Sequence, residues 1–280
     1  MHLVIQGAEI ETGDLKALAK LSGAGAIDRL SDTAFRLNNA QSGPGISELC
    51  TQARLDYGFV PEGRALADFR LLVMDMDSTL ITMETIDELA DMVNLKTEVA
   101  AITAQAMRGE IEYDESLRRR LALLKGLDES ALQRVYDERL KFSPGAERLL
   151  EQVQRAGIKT LLVSGGFTYM TDRLKTRIRL DYTHSNVLEV NNGRLSGAVI
   201  GGIVNADAKR EMLLQVAAEL KISRDQIAGV GDGANDLKFL AECGVSVAYR
   251  AKPVVREQTT YALNHSGLDA MRWLLSAENT

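Results

Sequence analysis

Apolar positions along the chain fall into two regimes. Over residues 1–67 they are short and mixed: His2–Ile5 reads as a strand, Leu15–Leu21 as a helix, Thr33–Leu37 as a second strand and Ile46–Tyr57 as a second helix. That β-α-β-α string contains no cluster of carboxylates, histidines or glycines, so it predicts a small accessory α+β domain without chemistry of its own. An effector-binding or dimerising role for it stays open. Beyond residue 67 come four short apolar runs without polar alternation: Leu71–Met74, Thr160–Val163, Ile227–Val230 and Val245–Ala248. Strands buried on both faces of a parallel sheet carry that signature. Amphipathic helical stretches connect them at Ala146–Arg155, Lys209–Leu220 and Asp236–Ala241. The expected fold is α/β, a doubly wound and mostly parallel sheet, with ligands beyond the carboxyl ends of its strands.

Two insertions interrupt this alternation. Residues 84–140 read as helices only, at Thr85–Val93, Thr97–Met107, Asp114–Leu124 and Glu129–Leu140. That is longer than a crossover between parallel strands requires, and it predicts a helical cap over the sheet. Later, Val187–Val190 and Arg194–Ser196 flank Asn191-Asn192-Gly193, a hairpin signal. The expected division is an N-terminal domain over 1–67 and a catalytic domain over 68–280, with its core at 68–83 and 141–280 and its cap at 84–140. Pro44, Pro61, Pro144 and Pro253 all fall between elements or at helix starts.

Composition narrows the chemistry. The 280 residues are 45% hydrophobic and 26% charged, which fits ordinary globular domains and excludes a disordered or fibrous chain. Thirty-three Lys and Arg against 39 Asp and Glu give a net charge of −6, so no nucleic-acid partner is expected. The longest charge-free stretches, Thr160–Thr171 and Leu195–Ala206, fall short of the ~18 apolar residues of a membrane helix. No basic segment leads into an apolar block at the N-terminus, so a cytoplasmic location without membrane contact is expected. Cys50 and Cys243 stand far apart, as do His2, His184 and His265, which rules out zinc spacing. Any metal must then be held by oxygen, which points to Mg²⁺.

Chemistry collects at the ends of the apolar runs. Asp75-Met76-Asp77-Ser78-Thr79 follows the first, and residues i and i+2 of an extended chain project to one side. Two adjacent carboxylates repel unless a cation intervenes, so one can stay ionised as a nucleophile while the other carries a proton. A surface pair capping a strand would look the same in isolation. The third run, however, ends in Gly231-Asp232-Gly233-Ala234-Asn235-Asp236, which adds two acids on a tight turn. Asp232 beside Asp75 makes an oxygen cluster suited to Mg²⁺. Ser164-Gly165-Gly166, after the second run, reads as a turn entering a helix, where a hydroxyl and free N–H groups cradle phosphate. Lys209 opens the helix leading to the third run, placed to neutralise phosphate and restrain the nucleophile.

These elements, in this order, match the haloacid-dehalogenase-like phosphohydrolases. The stretch from Leu71 to about Leu274 resembles more closely the family within them that hydrolyses O-phospho-L-serine. That narrower resemblance rests on Asp75-Met76-Asp77-Ser78-Thr79-Leu80 running into Glu84-Thr85-Ile86-Asp87-Glu88, and on Ser116-Leu117-Arg118-Arg119-Arg120. It continues through Val163-Ser164-Gly165-Gly166-Phe167, Ala208-Lys209 and Val230-Gly231-Asp232-Gly233-Ala234-Asn235-Asp236. The resemblance implies that Asp75 attacks phosphorus to form an aspartyl-phosphate and that Asp77 is the general acid and base. It implies Mg²⁺ bound by Asp75, the main-chain carbonyl of Asp77, and Asp232. Ser164, Gly165, Lys209 and Asn235 would hold the phosphoryl oxygens, and Asp236 would orient Lys209 or the metal's waters. Glu84 would meet the substrate ammonium and Arg120 its carboxylate.

Arg118, Arg119 and Arg120 point different ways around one helix, and it is the family pattern that selects Arg120. Met107 and Tyr113 line the same pocket or belong to the cap's core; the sequence does not choose. The implied reaction is the last step of L-serine biosynthesis. Its alternatives are another small phosphomonoester as substrate, phosphotransfer to a second hydroxyl, or a receiver-like module that is phosphorylated on Asp75. The helical insertion and the acid two places after Asp75 count against a receiver. The residues leave a homodimer open.

Overall fold

The computed structural model describes residues 1–277. The chain opens with β1 (His2–Gln6), α1 (Thr12–Ser22), β2 (Ala26–Ser31), β3 (Ala34–Asn38), α2 (Ile46–Gln52) and β4 (Asp56–Val60). These four strands form an antiparallel sheet in the order β2-β3-β1-β4. Leu3, Ile5 and Leu37 on one face of the sheet pack against Leu15 and Leu18 of α1 and Ile46 and Cys50 of α2. Two of these strands, β2 and β4, depart from the expected β-α-β-α string. The helix expected through Tyr57 stops at Gln52, because Arg54 turns into the left-handed region at φ 55 and β4 follows.

The catalytic unit is a seven-stranded sheet. It is built from β5 (Leu71–Met74), β6 (Lys159–Phe167), β7 (Tyr182–Asn191), β8 (Arg194–Ile200), β9 (Ile227–Gly231), β10 (Val245–Tyr249) and β11 (Tyr261–Leu263). Its order is β11-β10-β9-β5-β6-β7-β8, and every pairing is parallel except β7 with β8. The expected hairpin is present: β7 pairs with β6 as far as Asn186, and its distal part, from Val187 to Asn191, folds back antiparallel on β8. All four residues of β5 are buried because both faces are covered, and alternate side chains serve opposite layers. Leu71 and Val73 meet Leu213 and Val216 of α9 (Ala206–Leu220) and Phe239 of α10 (Leu237–Leu240). Leu72 and Met74 belong to the opposite layer, with α7 (Ala146–Arg155) and α8 (Thr168–Arg177).

The cap consists of α3 (Thr85–Asp91), α4 (Lys96–Met107), α5 (Tyr113–Leu123) and α6 (Ser130–Glu138). Its two linkers are hydrogen-bonded to each other: Thr82 N–H donates to Lys141 O (2.9 Å) and Ser143 N–H to Leu80 O (3.0 Å). At its far end the cap is tied to β8, where Gly126 N–H donates to Leu195 O and Leu195 N–H to Leu127 O, both at 2.8 Å. The N-terminal sheet abuts the catalytic unit through β4. Buried Asp56 accepts the backbone N–H groups of Asn264 (2.7 Å), His265 (3.0 Å) and Ser266 (2.7 Å), and Tyr261 donates its hydroxyl to Phe59 O (2.8 Å).

Candidate active site

Because β5 and β9 are neighbours in the sheet, the residues that follow them emerge side by side at its carboxyl edge. The chain leaves β5 at Asp75 and turns tightly through Met76–Leu80, where Ser78 adopts φ 58. That left-handed serine is held by its N–H on Met83 O (3.2 Å) and by its hydroxyl, which donates to Glu84 (2.6 Å). The turn brings Asp77 against the start of α3, where Thr85 donates its hydroxyl (2.8 Å) and its N–H (3.1 Å) to the two carboxylate oxygens. From the same turn, the Thr79 hydroxyl donates at 2.9 Å to Asp232, which follows β9, and so joins the two loops directly.

Lys209 lies at the centre. It is fully buried in the first turn of α9, and its Nζ donates to Asp75 Oδ1 at 2.6 Å and to Asp236 Oδ1 at 2.8 Å. Burial alone would push the ammonium down; Asp236 and Asp75 more than reverse this, and its pKa stands above the usual lysine range. Among the described residues no hydrogen-bond donor reaches Asp75 Oδ2. Asp236 is saturated, since its second oxygen accepts the N–H groups of Asp232 (3.2 Å) and Gly233 (3.0 Å). It therefore positions Lys209 and the loop.

Asp75, Asp232 and Asp236 present oxygens within 4.8 Å of one another. Three carboxylates against one ammonium leave an excess of negative charge in a largely water-excluded place. Burial, followed by repulsion from Asp236, raises the pKa of Asp75 well above the usual carboxylate range and takes Asp232 to about 7. Burial and then Glu84 lift Asp77 to about 8 against the pull of Thr85. A divalent cation held by oxygen fits this cluster, because its charge offsets the excess of carboxylates and favours their ionised forms.

Other expected residues fall around this centre. Ser164 is buried, and its Oγ accepts Gly166 N–H at 2.8 Å. The Ser164-Gly165-Gly166 segment is no turn into a helix. It lies inside β6, whose pairing with β7 is irregular between Val163 and Phe167. Glycines are required there: a Cβ on Gly165 would collide with the Tyr113 hydroxyl, and one on Gly166 would come within 2.7 Å of Met76 Cε. Glu84 stands at the crevice mouth at the N-cap of α3; enclosure raises its carboxyl, against the Ser78 hydrogen bond and the nearby Arg120. Arg120, in the last turn of α5, is half-buried, with Nε on Ser116 O at 3.3 Å. Asn235 folds back with its side-chain oxygen over Gly233.

The two open cap residues part company. Met107 is 66% exposed, its sulfur accepting from Lys252, whereas Tyr113 reaches down onto Gly165 beside the charged cluster. Sequence reasoning missed the supporting residues. Thr79 and Thr85 hold Asp232 and Asp77, while Asn186 donates to Gly165 O (2.8 Å) and accepts Val204 N–H (2.8 Å). Only Thr79 had a signal, as part of Asp-Ser-Thr; a lone Thr or Asn on a helix or strand gives none.

A parallel sheet bearing a lysine-clamped aspartate after one strand and an acidic loop after its neighbour, roofed by a helical cap, defines a class. The sequence profile of the haloacid dehalogenase-like hydrolases matches residues 69–244, and the chain belongs to that family. A domain family of unknown function matches residues 3–46. A phosphoserine phosphatase from Polaromonas sp. is 52% identical over 211 residues, 74% of this chain and 89% of that protein. Within the hydrolase class, the chain belongs with the phosphoserine phosphatases. A solved HAD family hydrolase from Salmonella enterica serovar Typhi has a TM-score of 0.89 at 32% identity, covering 99% of this chain and 98% of that one. A phosphoserine phosphatase solved as a phospho-aspartyl intermediate analogue gives a TM-score of 0.70 at 33% identity, covering 74% and 99%. Among the described residues, no helix is long and apolar enough to cross a membrane.

Proposed function

We propose that the chain hydrolyses O-phospho-L-serine to L-serine and phosphate, with Asp75 as the nucleophile. The carrying observation is the clamp on Asp75: Lys209 fixes one carboxylate oxygen at 2.6 Å and leaves the other without a donor among the described residues. That oxygen attacks phosphorus while the bond from phosphorus to the serine oxygen breaks. Asp77, kept protonated near neutrality by burial and Glu84, gives its proton to the leaving oxygen. The resulting Asp77 carboxylate then takes a proton from the water that attacks the aspartyl-phosphate, and the bond from phosphorus to Asp75 breaks. Mg²⁺, held by Asp75, the Asp77 main-chain carbonyl and Asp232, would offset the repulsion between an anionic nucleophile and an anionic phosphate.

Ser164, the Gly165 N–H, Lys209 and Asn235 receive the phosphoryl oxygens. Glu84 faces the ammonium and Arg120 the carboxylate, the two features that separate phosphoserine from a simple phosphoester. The relative solved as a phospho-aspartyl intermediate analogue supports the covalent route. The test is phosphate release from L-phosphoserine, from homoserine phosphate and from phosphoesters lacking an amino-acid group, with and without Mg²⁺. Release should require Mg²⁺, vanish in Asp75→Asn and favour phosphoserine. Equal rates on esters without ammonium and carboxylate would remove the roles given to Glu84 and Arg120.

A further inference from the structure

Tyr113, the first residue of α5, sends its side chain down from the cap onto β6. A Cβ on Gly165 would meet the Tyr113 hydroxyl first, so Oη lies against that glycine, beside the N–H given to the phosphate cradle. Among the described residues this hydroxyl makes no hydrogen bond, and Gly165 O is already taken by Asn186 Nδ2 at 2.8 Å. Around it stand the cations Lys209 and Arg120 and the carboxylates of Asp75 and Asp77. Burial raises its pKa, so the hydroxyl keeps its proton and remains a donor. Its place is fixed from behind. The next residue, Asp114, accepts Asn205 Nδ2 at 3.1 Å, and Asn205 caps α9 by accepting the N–H groups of Asp207 and Ala208, both at 3.1 Å. That tether holds the first turn of α5 against the helix that carries Lys209.

We infer that the Tyr113 hydroxyl is a further ligand of the phosphoryl group, donating a hydrogen bond to the oxygen that the Gly165 N–H holds; the inference rests on the phosphatase reading above. A ring without the hydroxyl would pack against Gly165 equally well, and an enclosed hydroxyl without a partner costs free energy. The acceptor it lacks is an anionic oxygen. Lys209 and the Gly165 N–H are donors aimed at the same spot, so a substrate ammonium would complete none of them. Tyr113 and Arg120 stand seven residues apart, two turns of α5, and therefore share one side of that helix. The helix then grips phosphoserine at both ends, the carboxylate through Arg120 and the phosphoryl group through Tyr113. Because the hydroxyl belongs to the cap and the N–H to the sheet, the bound phosphoryl group bridges the two and holds the cap down.

The test compares the full-length wild type with Tyr113→Phe, both with Mg²⁺, through the inhibition constants of inorganic phosphate and of L-serine against hydrolysis of p-nitrophenyl phosphate. Loss of one hydrogen bond to an anion should raise the phosphate constant about tenfold or more and leave the serine constant unchanged. The value of kcat/KM should fall by a similar factor on p-nitrophenyl phosphate and on L-phosphoserine, which have the phosphoryl group in common. The urea midpoint should hold, because the variant removes a hydroxyl that has no partner in the free protein. An unchanged phosphate constant overturns the inference. A rise shared by serine means that the whole cap is misplaced, and overturns it too. A loss confined to phosphoserine puts the hydroxyl at the amino-acid end and overturns it equally. The deciding constant belongs to inorganic phosphate and can be read on any ester the enzyme hydrolyses. Failure of the phosphoserine reading would appear instead as poor wild-type turnover of phosphoserine, so the two failures are distinguishable.

Discussion

Lys209 shows how a single side chain organises this site. It is an ammonium with no exposed surface, bridging Asp75 on β5's loop to Asp236 on β9's loop. Replacing it with Met leaves those carboxylates buried without their cation, and removing one partner of a buried pair costs roughly 3–5 kcal/mol. Lys209→Met should lower the urea midpoint accordingly and abolish phosphate release. Asp77 makes the opposite kind of contribution. Its folded pKa of about 8 exceeds the ordinary aspartate value of 3.8, so between those values the folded state binds more protons than the unfolded one. Stability from this group is therefore lost as pH rises through that window. In chelator, the wild-type melting temperature should fall between about pH 5 and pH 8 more steeply than that of Asp77→Asn; parallel curves would refute the assignment. The carboxylates were legible because they follow apolar runs, and the lysine because it opens the helix that leads to one. Their supports were not: nothing in a lone Thr85 or Asn186 announces that it will hold Asp77 or Gly165 after folding.

At the scale of elements, β5, β9 and β10 were readable because burial on both faces writes an unbroken apolar run. Three strands were not. β2 is largely exposed, β11 has three residues, and β4 alternates buried and half-buried positions within a stretch whose apolar spacing also suits a helix. Ser164-Gly165-Gly166 looked like a turn because glycine usually marks one. Here the glycines remain in β6, because the cap's Tyr113 and the turn after β5 press against them. Gly165→Ala should therefore prevent α5 from seating. A displacement of about 1 Å at the phosphate cradle costs on the order of 100-fold in kcat/KM. Steady-state kinetics should show that loss with little change in the urea midpoint, because the collision falls on the cap rather than on the core.

For the molecule as a whole, the N-terminal sheet is fastened to the catalytic unit by a buried carboxylate, Asp56, that accepts three backbone N–H groups. Asp56→Ala orphans all three donors and should cost about 2–4 kcal/mol in urea unfolding while leaving kcat near wild type, since no crevice residue touches it. This attachment was invisible in the sequence, where Asp56 falls inside the helix expected over Ile46–Tyr57. The larger assembly joins Asp75, Asp77, Lys209 and Asp232, brought together from distant parts of the chain by the adjacency of β5 and β9. The most direct measurement of that arrangement is acid quenching of the enzyme during turnover of phosphoserine with Mg²⁺, followed by peptide mass spectrometry. The account predicts a phosphoryl group on Asp75, absent from Asp75→Asn. Sustained turnover with no label on Asp75, or with label on another residue, would contradict it.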